Sequence, residues 1–245
     1  MLAVSGLVAS AADSTKTNPK CYSKPVSCGL CTFLLAIGLL TMPATARCGT
    51  IFVTNAELTG TVGKYTTSGA TVNPALISGL NGPLGIAVSG GNLFVTNLLT
   101  NTIGKYTTSG ATVNPALISV VDPTGIAVSG GNLFVSSFST NRIGEYTTSG
   151  ATVNLALISG LNGPLGLAVS GEDLFVANFN GGVPGGGTIG KYTTSGATVN
   201  PALISGLTHP DFLAVAVPDA SSSWTLLLLG LMATLGLRVM LRQPA

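Results

Sequence analysis

The sequence predicts an all-β chain folded as a four-bladed β-propeller. Three observations carry that expectation. The block Gly-Lys-Tyr-Thr-Thr-Ser-Gly-Ala-Thr-Val-Asn-Pro-Ala-Leu-Ile-Ser begins at Gly63 and recurs almost letter for letter at Gly104, Gly144 and Gly190, at spacings of 41, 40 and 46 residues. A period of about 40 residues marks a repeat architecture. Each unit holds four short strand-like segments divided by Gly and Asn turns, which is the content of a propeller blade. The frame is offset by one strand, so the first unit starts a strand late and the last runs a strand over.

The chain has 245 residues, of which 7% are charged, against roughly 25% in ordinary soluble domains. Between residues 47 and 217, Arg47, Lys64, Lys105, Arg142 and Lys191 are balanced by Glu57, Asp122, Glu145, Glu172, Asp173 and Asp211. No basic stripe exists, so nucleic acid is not an expected partner.

The N-terminal residues 1–46 read as an export leader with a signal helix. Lys16, Lys20 and Lys24 precede the apolar run 29–41, and Pro43-Ala44-Thr45-Ala46 offers a small-residue cleavage site. Cys28-Gly-Leu-Cys31 falls inside that leader and is not expected to survive its removal.

Residues 47–217 hold the repeats. In one unit, Pro83-Leu-Gly-Ile-Ala-Val-Ser89 is apolar and ends at Gly90-Gly91. Asn92-Leu-Phe-Val-Thr-Asn97 alternates, placing Leu93 and Val95 on one face and Phe94 on the other. Thr102-Ile-Gly-Lys-Tyr-Thr107 alternates again, Ser109-Gly110 turns, and 112–119 completes the unit. Thr50-Ile-Phe-Val-Thr-Asn55 matches the second strand of this unit. His209-Pro210-Asp211-Phe212-Leu213-Ala214-Val215 matches the first in degenerate form. Blades are therefore expected at 82–121, 122–162 and 163–206, with 50–81 and 207–217 combining into a split closing blade. Such a join would cover the terminal strand edges. A closed monomer follows from it more directly than an open arc or a two-chain ring.

Asn81-Gly-Pro83-Leu-Gly-Ile-Ala-Val-Ser-Gly-Gly-Asn-Leu-Phe-Val95-Thr-Asn97 resembles the NHL repeat, as do Asp122-Pro123-Thr-Gly-Ile-Ala-Val and Asn141-Arg142-Ile143. The resemblance covers roughly residues 50–217 and implies a propeller with extracellular or scaffold-like binding roles. It departs where an Asp is usual after the second strand, a place held here by Asn55, Asn97, Ser137 and Asn178. The acidic ring that some relatives use for metal is missing, so no metal and no cofactor are implied.

The tail, residues 218–245, forms a second address. Val217-Pro218-Asp219 and a run of serines precede an uncharged segment from Trp224, read as a transmembrane helix over 224–241, and then Arg238 and Arg242. Basic residues beyond an apolar segment stay cytoplasmic, which leaves the repeats outside. This tripartite tail resembles the PEP-CTERM sorting signal, in its Val-Pro-Asp variant. The resemblance implies an exosortase-type sorting enzyme as partner, transient anchoring in the inner membrane, and a cell-envelope or extracellular destination.

Candidate site residues are of two kinds. Repeated ones are Tyr65, Tyr106, Tyr146 and Tyr192, and the polar set Asn55, Asn97 and Asn178. Facing outward, the tyrosines would stack on sugar rings; facing inward, they fill space between blades. The asparagines either line a channel or simply cap loops. Irregular residues are the pair His209 and Asp211, in the closing strand, and Glu172-Asp173, a turn with two carboxylates. A base or cation ligand is the sharper reading of these, and repeat divergence or a solvated loop the plainer one. Gly185-Gly-Gly-Thr-Ile-Gly190 has the letters of a dinucleotide loop without a following helix. The expected function is an exported, non-catalytic binding or matrix protein associated with exopolysaccharide, and not an enzyme. The alternatives are a small lactonase- or lyase-like propeller enzyme and a purely structural repeat protein.

Overall fold

The computed structural model describes residues 49–216, which form fifteen strands in four antiparallel sheets set around a common centre. Blade 1 holds β1 (Thr50–Asn55), β2 (Gly60–Thr66) and β3 (Thr71–Leu80). Blade 2 holds β4 (Pro83–Ser89), β5 (Asn92–Asn97), β6 (Thr102–Thr107) and β7 (Thr112–Ser119). Blade 3 holds β8 (Pro123–Ser129), β9 (Asn132–Ser137), β10 (Arg142–Thr147) and β11 (Thr152–Ile158). Blade 4 holds β12 (Pro164–Ser170), β13 (Asp173–Asn178), β14 (Gly187–Thr193) and β15 (Thr198–Leu207). Each sheet runs in sequence order, so the architecture is an up-and-down four-bladed propeller. Among the described residues no helix is long and apolar enough to cross a membrane. The expected signal helix, the helix 224–241 and the motif Val217-Pro218-Asp219 lie outside the described residues.

The core is made of seams between blades, and strand alternation dictates it. Leu93 and Val95 face blade 1, where they bury with Val62, Ile77 and Leu80. Phe94 faces the other way, into a cluster with Leu133, Val135 and Ile126 of blade 3. Blades 3 and 4 repeat the pattern around Phe134, Leu174 and Val176. On the third strand of a blade, the Lys-Tyr pair splits between seams. Tyr106, Tyr146 and Tyr192 each fill the seam with the preceding blade. Lys64 and Lys105 reach forward, donating to the Thr108 and Thr148 carbonyls at 3.2 and 3.0 Å.

A hydroxyl relay holds the inner strands together. The Gly85 N–H donates to Thr96 Oγ1 at 2.7 Å, and that hydroxyl donates to the Thr124 carbonyl of the next blade at 2.9 Å. Ser136 does the same, accepting from Gly125 N–H at 2.7 Å and donating to the Leu165 carbonyl at 2.6 Å. Thr54 donates to the Leu84 carbonyl at 2.7 Å. Blade 4 has Ala177 in this place, and Gly166 N–H bonds directly to the Asp211 carbonyl at 2.7 Å. The approach needs glycine. A methyl on Gly85 would sit 2.6 Å from the Thr124 carbonyl, and one on Gly166 would sit 2.7 Å from that of Asp211.

This requirement explains a departure from the expected split blade. Residues 208–216 take the inner-strand place beside β12, and Pro210 seats against Gly187 as Pro83 seats against Gly60. They form no ladder with β1, so blade 1 is three-stranded and not four-stranded. Phe212 stands where Gly85, Gly125 and Gly166 stand in the other blades. Its Cβ would have to enter the space beside the Leu84 carbonyl that only glycine fits. No buried cluster forms between blades 4 and 1 among the described residues, and Tyr65 stays half-buried.

Candidate functional site

One end of the ring holds His209 and the insertion of blade 4. It carries the starts of the inner strands, the ends of the second strands and the loops between second and third strands. The residue before each inner-strand proline has a left-handed backbone here: Gly82 (φ 60°), Asp122 (φ 45°), Gly163 (φ 61°) and His209 (φ 51°). The turn requires positive φ, which glycine adopts freely and a histidine adopts at a cost of order 1 kcal/mol or more. His209 is the chain's one histidine. Its ring stacks on Phe179 with centroids 4.8 Å apart, and Phe179 meets Phe138 at 6.2 Å. His209 Nε2 lies 3.3 Å from the Gly182 carbonyl, in the β13–β14 loop, which is five residues longer than its counterparts in blades 2 and 3. A carbonyl only accepts, so Nε2 is the donor in this contact and Nδ1 is the ring nitrogen outside it.

The segment that follows His209 leads to the centre. Phe212 and Leu213 line a cavity of about 340 Å³ together with Phe52, Thr54, Gly85, Gly125 and Leu167, so all four blades contribute to it. The walls are apolar side chains, interrupted by inner-strand backbone and the Thr54 hydroxyl. That is the composition of a small-molecule site, in which apolar area gives affinity and a few polar groups give orientation. Asp211 binds Gly166 through its main chain, while its side chain is exposed. His209 and Asp211 are therefore neighbours in one rim segment, although the structure places no hydrogen bond between them. Among the described residues no group of three or more His, Cys, Asp or Glu side chains converges on a metal position.

The other sequence candidates sit elsewhere. Tyr106, Tyr146 and Tyr192 are 3%, 3% and 4% exposed. Their rings lie back over Gly104, Gly144 and Gly190 within the seams, so they present no aromatic face to a sugar. Burial pushes all three phenols above their ordinary value of 10.0, opposed at Tyr106 by the Asn97 amide and at Tyr192 by that of Asn178. Asn97 and Asn178 are buried at the ends of β5 and β13, each with an Oδ1 lacking a partner. They face the tyrosine hydroxyls and do not line the central cavity. Asn55 is exposed and donates to Thr61 Oγ1 at 2.9 Å. Asp173 pairs with Lys191 Nζ at 2.8 Å across β13 and β14, so the Glu172-Asp173 turn does not offer two free carboxylates to a cation. Gly187 and Gly190 begin and continue strand β14, which excludes a dinucleotide loop followed by a helix. Phe138, Phe179 and Phe212 were not legible as site residues. Their signal was their mismatch with Leu98 and with the glycines at the corresponding repeat positions.

No protein-family model and no curated protein matches the chain. Solved structures do. A chain of hydrazine synthase from Kuenenia stuttgartiensis matches with a TM-score of 0.51 and 19% identity, over 66% of this chain and 46% of that one. A streptogramin B lyase matches at 0.43 and 24%, over 55% and 45%. A gluconolactonase from Xanthomonas campestris matches at 0.44 and 18%, over 54% and 52%. The chain spans about half the length of these structures. They are β-propellers, so the resemblance to NHL proteins holds at the level of the fold. The expectation that the chain is not an enzyme is corrected here: several of the structures that share its fold are named for enzymes.

Proposed function

We propose that this chain is a small propeller enzyme that opens a cyclic ester, of the lactonase or lyase kind, at the centre of its ring. One observation carries the reading: an apolar cavity of about 340 Å³ is lined by Phe212 and Leu213, in the segment that carries the chain's one imidazole. His209 is three residues before Phe212, about 10 Å along an extended chain. The imidazole ring is not part of the cavity wall, so in this reading the substrate projects beyond the cavity toward the rim to meet it. Nδ1 of His209 is the base in this mechanism. In hydrolysis it takes a proton from water as the water oxygen bonds to the ester carbonyl carbon, and returns it to the ring oxygen as that C–O bond breaks. In elimination it takes a carbon-bound proton instead, and the ring oxygen leaves as carboxylate. Neither route needs a metal.

In the same reading the chain is exported by its leader and sorted to the envelope by its tail, with an exosortase-type enzyme as processing partner. Extracellular polysaccharide or another envelope protein is then its surroundings.

The test incubates purified protein with a panel of simple lactones and cyclic depsipeptide lactones, followed by mass spectrometry. Hydrolysis adds one water to the substrate mass, whereas elimination opens the ring at constant mass. The His209→Gln variant is expected to lose about 100-fold or more in rate. Absence of turnover across the panel, or an undiminished rate in His209→Gln, overturns the reading.

A further inference from the structure

The repeats serve as internal controls for one another, so a pocket lined by departures from the repeat points to something that blade does. Blade 3 has such a pocket. In blades 2 and 4 the second strand ends in Asn97 and Asn178, whose amides face the Tyr106 and Tyr192 hydroxyls. Blade 3 ends that strand in the shorter Ser137. Beside Ser137, at the seam with blade 2, lies a cavity of about 200 Å³ lined by Ser119, Val121, Ser137, Thr140, Arg142 and Tyr146. Two further departures meet there. Arg142 stands where the other blades have Thr102 and Thr188, and Leu155, on the same wall, stands where they have Pro115 and Pro201.

We propose that this cavity is a second ligand site, separate from the central one, for a small hydroxylated carboxylate such as a hexuronate. Arg142 supplies a charge and a planar fork of donors, which matches a carboxylate better than any neutral group. Tyr146 is 3% exposed and presents its phenol to the cavity without the asparagine its counterparts have. Thr140 donates to Ser137 at 2.6 Å and Ser137 donates to the Val121 carbonyl, which leaves lone pairs on Thr140 for a ligand hydroxyl. Val121 and Leu155 give a ring an apolar face. The volume is below the roughly 300–1,000 Å³ of drug-sized pockets, which restricts the occupant to one small molecule or one terminal sugar. Two carboxylates lie near. Asp122 is half-buried beside Val121, and Glu145 accepts from Asn132 at 2.7 Å. Glu145 alternates with Tyr146 along β10 and so faces away from the cavity.

The experiment titrates sodium glucuronate, glucose and sodium acetate into the full chain by calorimetry and by amide shifts. Two variants restore what the other blades carry, Ser137→Asn and Arg142→Thr, so both are compatible with the fold, and their melting is checked against the parent. Glucuronate is expected to bind in the millimolar range or tighter, shifting the amides of Ser137 and Tyr146, and each variant is expected to weaken it about tenfold or more. Glucose and acetate are each expected to bind more weakly than glucuronate. No glucuronate binding by the parent, equal binding of glucose, or unchanged binding in the double variant overturns the proposal. His209→Gln leaves this site unaltered, so its failure and that of the lactone reading are distinguishable.

Discussion

The relay predicts what removing a single hydroxyl does. Thr96→Val keeps the shape and removes the oxygen. Thr96 is fully buried. Its Oγ1 is the partner of Gly85 N–H at 2.7 Å and donates to the Thr124 carbonyl at 2.9 Å, so one buried donor and one buried acceptor are orphaned together. Each costs about 1–3 kcal/mol when left unpaired in the interior. The sum is about 2–6 kcal/mol. We expect the lower half of that range, because the added methyl packs where the hydroxyl was and carbonyls tolerate poor pairing better than N–H groups. A loss of about 3 kcal/mol is a large part of the 5–15 kcal/mol typical of a domain, and in one of this size it lowers Tm by roughly 6–12 °C. Circular dichroism melts and urea unfolding measure it. Ser136→Ala serves as the same test in the next seam. Ala177→Ser is the control, since Gly166 N–H already has the Asp211 carbonyl at 2.7 Å and needs no relay. A Thr96→Val protein that melts with the parent, or one affected no more than Ala177→Ser, refutes the relay as a structural tie.

Phe212→Gly should let residues 208–216 pair with β1. Two or so new net hydrogen bonds at about 0.5–1.5 kcal/mol each predict a Tm rise of a few degrees, with new exchange protection on the inner edge of β1; unchanged protection there contradicts the steric account. Gly104→Ala places a methyl 2.6 Å from the Tyr106 ring, which should cost about 1–3 kcal/mol by overpacking, and a neutral result in urea unfolding would show that the ring moves aside freely. Alkaline stability follows the phenols. Burial raises Tyr106, Tyr146 and Tyr192 above 10.0, so the unfolded chain ionises first. Their contribution is complete below pH 10.0 and is lost as pH rises through the folded-state values, at up to about 1.4 kcal/mol per pH unit for each phenol. Urea unfolding across that range should show a shallower decline for Tyr146→Phe, and an identical slope would contradict the burial effect.

Much of the fold was legible because the repeat states it four times. Alternation in Asn92–Asn97 assigned Leu93 and Val95 to one seam and Phe94 to the other, as observed. The frame placed the inner, second, third and outer strands. What alternation could not show is distance between blades. Thr96 reads as an ordinary β-branched strand residue, and nothing within its own repeat says that its oxygen bridges to a carbonyl 28 residues on. The tyrosines were ambiguous for the same reason: strand period gives a face, and only the seam decides whether that face is covered. Gly104 was the available clue, since a glycine two residues before a tyrosine on one strand face leaves room for the ring to lie back.

The site was legible only as irregularity, and the irregularities are not equivalent. His209 breaks the repeat at a position where Asp122 already does, so a non-glycine residue with positive φ is tolerated there and does not by itself mark function. Phe212 breaks it where three blades have glycine pressed on a carbonyl, and that substitution changes architecture. It leaves the inner edge of β1 without a ladder partner and opens the centre where Phe52, Thr54 and Leu213 meet. A four-bladed ring with glycine at 212 would draw its last strand into the hole and fill it. The residue that weakens closure is thus the one that makes the cavity, and stability gained by Phe212→Gly should come with loss of whatever the centre holds. Lactone turnover by Phe212→Gly at the parental rate would separate the two and place the chemistry elsewhere.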